Sequence, residues 1–323
     1  MNLTQSTMNS TMQNATSAAD VTLNERWAEG SAYFEYTSAA NPRMPKIDIE
    51  SFPASMHQID ETKVIPLDLS AAMETPYPCT GPSLLANYLH ISPGESLTTK
   101  ANSASQVFFC IRGKGRSETS DGTLTWKTGD YFAASGAMEF AHSAEEDTAF
   151  YWVNDEPLFR YLGAKPDTAQ IRPVFFSREC LEEELAKVRA ENEGKDKNRN
   201  GILLANVDCP VTKTVTHTMW SLYNLLPRQS RQKAHRHNSI ALDLCVAAGP
   251  DTYTLIGRKL DSDGNIIDPV KAMWAPGATF VTPPGWWHSH HNESDEDAIV
   301  LPVQDAALHT QIQTLDIQFA RGY

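Results

Sequence analysis

His235 and His237, in Ala234-His235-Arg236-His237-Asn238, and His288, in Pro283-Pro284-Gly285-Trp286-Trp287-His288, have types and spacing suited to chemistry. Residues two apart on a β-strand project to one face, so His235 and His237 present paired imidazoles. Gly277 to Val281, followed by Pro-Pro-Gly, reads as a strand, a tight turn and a returning strand that brings His288 opposite the pair. Three neutral nitrogen ligands on one side of an ion leave its other side open, which suits catalysis better than structural support. A solitary His-x-His on a surface strand is commonly just solvated. Here the pair precedes the apolar run Ile240 to Ala248 and its partner lies in a Pro/Gly/Trp turn, a context that favours a bound transition metal. Three imidazoles accept iron, manganese or nickel alike.

Other residues near these histidines can serve a bound ligand. His290, two beyond His288 on the same face, is a candidate acid-base or hydrogen-bonding group, whereas His291 suits an exposed loop. Trp286 and Trp287 can wall a planar substrate or simply pack in a core. Arg228, Arg231 and Lys233 lead into the ligand strand and can hold a carboxylate, although basic residues in a polar loop are usually solvated. Arg236 alternates with the histidines and faces away from the metal.

The elements that must position these groups are short strands. Runs such as Tyr88 to Ile91, Val107 to Ile111, Thr123 to Trp126 and Ala149 to Val153 are separated by turns, and similar runs resume from Met219 to Leu226, Ala241 to Val246, Tyr253 to Ile256, Thr279 to Val281 and Ile299 to Val303. The pattern predicts an all-β chain of two small jelly-roll barrels related by duplication. Counting back from the glycine turns places Lys100 and Asn102 where the second half has His235 and His237, so the first barrel lacks ligands. Between Ser177 and Glu193 the period lengthens, with Leu181, Leu185 and Val188 on one stripe of a short connecting helix. The expected organisation is a disordered tail over residues 1–22, an arm over 23–83, a metal-free barrel over 84–170, a helix and linker over 171–205, and a metal-binding barrel over 206–323.

Composition narrows the partners. A chain of 323 residues with 41% hydrophobic content can build two cores, and its net charge of −13 disfavours nucleic acid and anionic membranes. It offers no apolar run long enough for a transmembrane helix and no cationic, apolar signal segment. Five scattered cysteines without a CxxC fit a reducing cytoplasm. Small molecules are the expected ligands, and a homo-oligomer is the expected assembly.

The stretches Ala234 to Leu242 and Gly277 to His290 resemble the two motifs of the cupin superfamily, and specifically of the two-barrel ring-cleaving dioxygenases related to gentisate 1,2-dioxygenase. The likeness covers about residues 84 to 323. Many cupins add a glutamate after His-x-His. This chain has Ala241 and Leu242 there, similar to the three-histidine gentisate-type site. The resemblance implies a bicupin fold, one Fe(II) per chain, and O2-dependent ring opening of a gentisate- or salicylate-like acid. Gentisate enzymes hold their metal in the N-terminal barrel, whereas the histidines here lie in the C-terminal one. The large subunit of two-component hydroquinone dioxygenases shares that placement but uses a carboxylate ligand. A hydroquinone dioxygenase, a metal-dependent cupin lyase or isomerase, and a non-catalytic acid-binding cupin are the alternatives.

Overall fold

The computed structural model describes residues 21–40, 44, 46–193 and 199–320, so the expected tail lies almost wholly outside the described residues. The chain divides after Met44 into two units. The first contains the helix Leu23–Ala28, started by Thr22 and Glu25 in a reciprocal capping box, and the short helix Tyr36–Ala39. The second, residues 45–323, contains both barrels.

Period-two burial organises each barrel. In the strand Ser105–Arg112, Val107 and Phe109 point one way while Phe108 and Cys110 point the other, and Thr148–Asn154 repeats this with Tyr151 and Val153 against Phe150 and Trp152. These strands are buried on both faces. They lie in an antiparallel sheet ordered Val174–Phe176, Tyr131–Ser135, Ser105–Arg112, Thr148–Asn154, Leu85–Ile91 and Lys63–Pro66. A second sheet, Ser96–Thr99, Phe140–Ala144, Lys114–Thr119 and Gly122–Lys127, completes the first barrel.

The second barrel repeats the plan. Its larger wall runs Ser51–Phe52, Thr279–Thr282, Ala241–Ala247, Ala298–Gln304, Trp220–Leu226 and Asn200–Leu204. Its other wall runs Val270–Met273, Thr252–Gly257, Trp287–Asn292, His235–His237 and Ile317–Phe319, with Ser230–Arg231 also paired to Trp287–Asn292. The segment read as an arm thus supplies one strand to each barrel. The connecting helix is Arg178–Asn192, capped by the Ser177 hydroxyl and anchored through buried Leu181 and Leu185.

The two large walls pack face to face, and the main core is their seam: Tyr88, Phe109, Tyr131 and Tyr151 from one side meet Leu242, Leu244, Leu301 and Val303 from the other. The seam is tied by a repeated device. Asp155 accepts the backbone N–H groups of Ala104 and Ser105 through Oδ1 and the Thr218 hydroxyl through Oδ2 at 2.7 Å. Asp305, at the same place in the second barrel, accepts the Ile240 N–H and, at 2.6 Å, the Ser83 hydroxyl. Each aspartate orders its own barrel and reaches a residue preceding a strand of the other.

Sheet registers align the repeats. Gln106 pairs with Asn154 and Ala134, as Ala241 pairs with Gln304 and Thr282. Stepping equally far from Ala134 and Thr282 sets Phe140 against His288 and His142 against His290. The first barrel's interior is accordingly filled with rings: Phe108 stacks on Phe132 at 4.8 Å and on Trp152 at 5.8 Å, with Phe140 tilted at 5.0 Å. Lys100 points outward, its side chain 74% exposed beside Glu139.

Candidate metal centre

The strand His235–His237 lies between Trp287–Asn292 and Ile317–Phe319, with His235 directly opposite His288. Alternation turns His235, His237, His288 and His290 inward together. Ring centroids are 4.0 Å apart for His235 and His288, 4.9 Å for His237 and His288, and 5.7 Å for His235 and His237. One nitrogen from each of His235, His237 and His288 lies within 4.8 Å of the others. The Pro-Pro-Gly turn is fastened to this strand, since Gly285, at a φ of +76°, donates its N–H to the His237 carbonyl at 2.7 Å.

Burial disfavours charge on every ring of the cluster. It holds His235 and His288 well below the ordinary imidazole value, lowers His237 to about 4 and His290 to about 3, and the nearby Arg199 charge lowers all four further. The cluster is therefore neutral, as metal-ligating imidazoles must be. Second contacts select the free nitrogens. His237 donates Nδ1–H to the Ser239 carbonyl at 2.9 Å, and His288 donates Nδ1–H to the Trp286 carbonyl at 3.1 Å, leaving both Nε2 lone pairs available. His237 Nε2 is buried without a hydrogen-bond partner among the described residues. An orphaned lone pair beside two further imidazoles fits a metal ion. His235 differs, because its Nδ1 accepts from Arg199 Nη2 at 2.9 Å, which in the neutral ring puts the hydrogen on Nε2, so metal ligation by His235 Nε2 requires the Arg199 contact to be released.

Other candidates fall in different places. Trp287 alternates with His288, so it lies on the outer face, where Arg236 sits 5.3 Å from its ring. Trp286 packs beside the second barrel's apolar core with Arg258 at 4.2 Å. His291 also faces outward, stacked on Tyr253 at 5.0 Å. Arg228 and Arg231 are exposed; Arg228 gives its backbone N–H to Asp297, and Arg231 lies opposite outward-facing His291. Neither arginine is brought to the cluster.

The structure adds groups that sequence reasoning missed. Arg199, immediately before Asn200–Leu204, is half-buried, bonds His235 and the Lys233 carbonyl, and lies 5.1 Å from the Phe319 ring. Trp220 Nε1 and Gln232 Nε2 are buried donors without partners among the described residues. Gln232 gives its backbone N–H to the His290 carbonyl, which places it at the cluster wall. Asp243 occupies the inward face of Ala241–Ala247, between Leu242 and Leu244 of the seam. It is 3% exposed and receives the Thr282 hydroxyl at 2.8 Å, and burial pushes its carboxyl up to about 7. An acid at an inward position of an apolar strand was the available signal for Asp243. Arg199 gave none, being the end of a charged run.

No protein-family model matches the sequence, and a comparison with curated proteins finds no relative. Solved structures do match. Salicylate 1,2-dioxygenase from Pseudoaminobacter salicylatoxidans, in a single-substitution variant complexed with gentisate, superposes with a TM-score of 0.70 at 13% identity over 98% of this chain and 99% of that one. Another structure of that enzyme gives 0.69 at 13% identity, covering 94% and 98%. A second variant with gentisate gives 0.69 at 14% identity, covering 96% and 97%. Two cupin barrels joined at their larger sheets, with the histidine cluster in the second, are the fold of this chain.

Proposed function

We propose that this chain is an Fe(II)-dependent ring-cleaving dioxygenase that uses O2 on a hydroxylated aromatic acid of the gentisate or salicylate type. The observation that carries the reading is the neutral cluster of His235, His237 and His288 with the orphaned His237 nitrogen and a cation, Arg199, at its edge. The gentisate complexes of the structural neighbour support it. Held by three uncharged ligands, one Fe(II) per chain would keep its full dipositive charge, which favours an anionic chelate, and would supply the chemistry that activates O2. The chain's residues do the rest: Arg199 pairs with the carboxylate and the Gln232 side-chain N–H meets a ring oxygen. Free cysteines, four of them buried, support the cytoplasm as the compartment.

The test is oxygen consumption by protein reconstituted anaerobically with Fe(II), against hydroxybenzoates, hydroxynaphthoates and hydroquinones. Uptake with the acids is expected. No uptake with any ring, or turnover without oxygen, overturns the reading. The C-terminal placement of the histidine cluster, which the hydroquinone dioxygenases share, favours a second reading, a carboxyl-free hydroquinone. Uptake with hydroquinones alone selects that reading.

Arg199→Ala should raise KM for the acid by roughly one to two decades, the cost of about 1.5–3 kcal/mol for a shielded charge-assisted hydrogen bond, and leave a carboxyl-free analogue nearly unaffected. Arg228→Ala and Arg231→Ala should match the parent. Metal content measured alongside separates anchoring from an effect on His235, and equal losses for both substrates rule anchoring out.

A further inference from the structure

Both barrels contain the same three-residue chain of hydrogen bonds. In the first, Trp126 Nε1 donates to Ser117 Oγ at 2.8 Å, and Ser117 Oγ meets His142 Nδ1 at 2.7 Å. In the second, Trp274 Nε1 donates to Thr254 Oγ1 at 2.8 Å, and Thr254 Oγ1 meets His290 Nδ1 at 2.8 Å. The registers agree, with Ser117 opposite His142 and Thr254 opposite His290. An indole N–H can only donate, so the hydroxyl accepts from the tryptophan and has its own proton to give. Thr254 makes no other side-chain hydrogen bond among the described residues, so donation to His290 Nδ1 is the arrangement that gives the buried hydroxyl hydrogen a partner. The ring hydrogen is then on Nε2. In the first barrel, the corresponding Nε2–H of His142 is used internally on Thr99 Oγ1 at 3.0 Å. His290 lies beside the metal cluster, its ring centroid 5.8 Å from that of His288 and 6.4 Å from that of His235.

We propose that Thr254 and Trp274 are positioning residues that hold His290 as its Nε2–H tautomer, so that His290 meets a ligand bound at the cluster as a hydrogen-bond donor and not as a base. That the ligand presents an anionic aromatic oxygen rests on the dioxygenase reading above; the tautomer does not. The device is one half of the duplication retained in both barrels, with a ligand in place of Thr99 in the second. It also assigns His290 a narrower role than acid-base catalysis.

The test uses the full chain labelled with 15N-histidine, metal-free and loaded with redox-inert Zn(II), with the His290 signals identified by their loss in His290→Gln. Long-range 1H–15N spectra should show the Nε2–H form in the parent and in Thr254→Ser, which installs the first barrel's own hydroxyl. Thr254→Val and Trp274→Phe should populate the other tautomer. Zn(II)-loaded Thr254→Val should bind a hydroxybenzoate about tenfold more weakly than the parent, and Thr254→Ser within about twofold. An Nδ1–H form in the parent, or no change in Thr254→Val, overturns the proposal. The parent spectrum alone decides the tautomer if the valine variant does not fold. Unchanged affinity despite a changed tautomer overturns the donor role. Failure of the parent to bind any aromatic acid overturns the dioxygenase reading while leaving the tautomer standing.

Discussion

His237→Ala should leave the purified protein with little metal after reconstitution, against a parent value near one transition metal per chain. His237 supplies a buried nitrogen that lacks a partner among the described residues, and its carbonyl fixes the turn leading to His288. Losing only an outer partner of a ligand typically costs 10–100-fold in metal affinity, so losing the ligand itself should exceed about 100-fold. The fold should survive, because the removed ring belongs to a neutral polar cluster and not to the inter-barrel seam. The first barrel should not compensate. Lys100 points to solvent and Phe140 fills the place of His288, leaving no ligand set there among the described residues. Elemental analysis with circular dichroism checks both halves, and full occupancy after alanine replacement of all three histidines would show that the metal binds elsewhere.

The legible part of this fold was whatever depends on alternation within one strand. The apolar runs announced the central strands of the two large walls but not their edges, Ser51–Phe52, Lys63–Pro66, Val174–Phe176 and Asn200–Leu204. His-x-His with the Pro-Pro-Gly turn announced the cluster, because the pairing of His235 with His288 needs only a strand, a turn and a return. The same alternation, followed further, would have turned Trp287 outward as it turned His288 inward. It would also have separated Leu242 from Asp243: Leu242 lies in the seam, so the place weighed for a carboxylate ligand faces away from the cluster, while its neighbour faces in. Arg199 was not legible. Its approach to His235 depends on Asn200–Leu204 pairing with Trp220–Leu226, a contact set by the sheet and not by local pattern. For the same reason Arg228 and Arg231, nearer in sequence, stay on the outside.

Asp243→Asn should stabilise the protein at pH 8 and have little effect near pH 4. The Asp243 carboxyl is buried with one hydroxyl partner, and burial raises it from the ordinary 3.8 to about 7. In the unfolded chain it loses its proton near pH 4, while in the folded chain it keeps it until about pH 7. Between those values the folded state binds the extra proton, so stability falls as pH rises and levels off above the folded value. The accumulated cost approaches about 4 kcal/mol, taking about 1.4 kcal/mol for each of roughly three pH units, and partial relaxation makes about 2–4 kcal/mol a fair range. Asparagine retains a carbonyl for the Thr282 hydroxyl and carries no charge, so the variant should melt several degrees higher at pH 8. Asp155, raised to about 6, and Asp305, also raised by burial, give the parent a similar slope of their own. The difference between variant and parent isolates Asp243, provided both are melted metal-free across pH 4 to 8. Parallel curves over that range would mean that Asp243 is ionised in the folded protein with partners that offset its burial, whereas curves that diverge upward from pH 4 would identify it as a carboxyl kept protonated by the barrel.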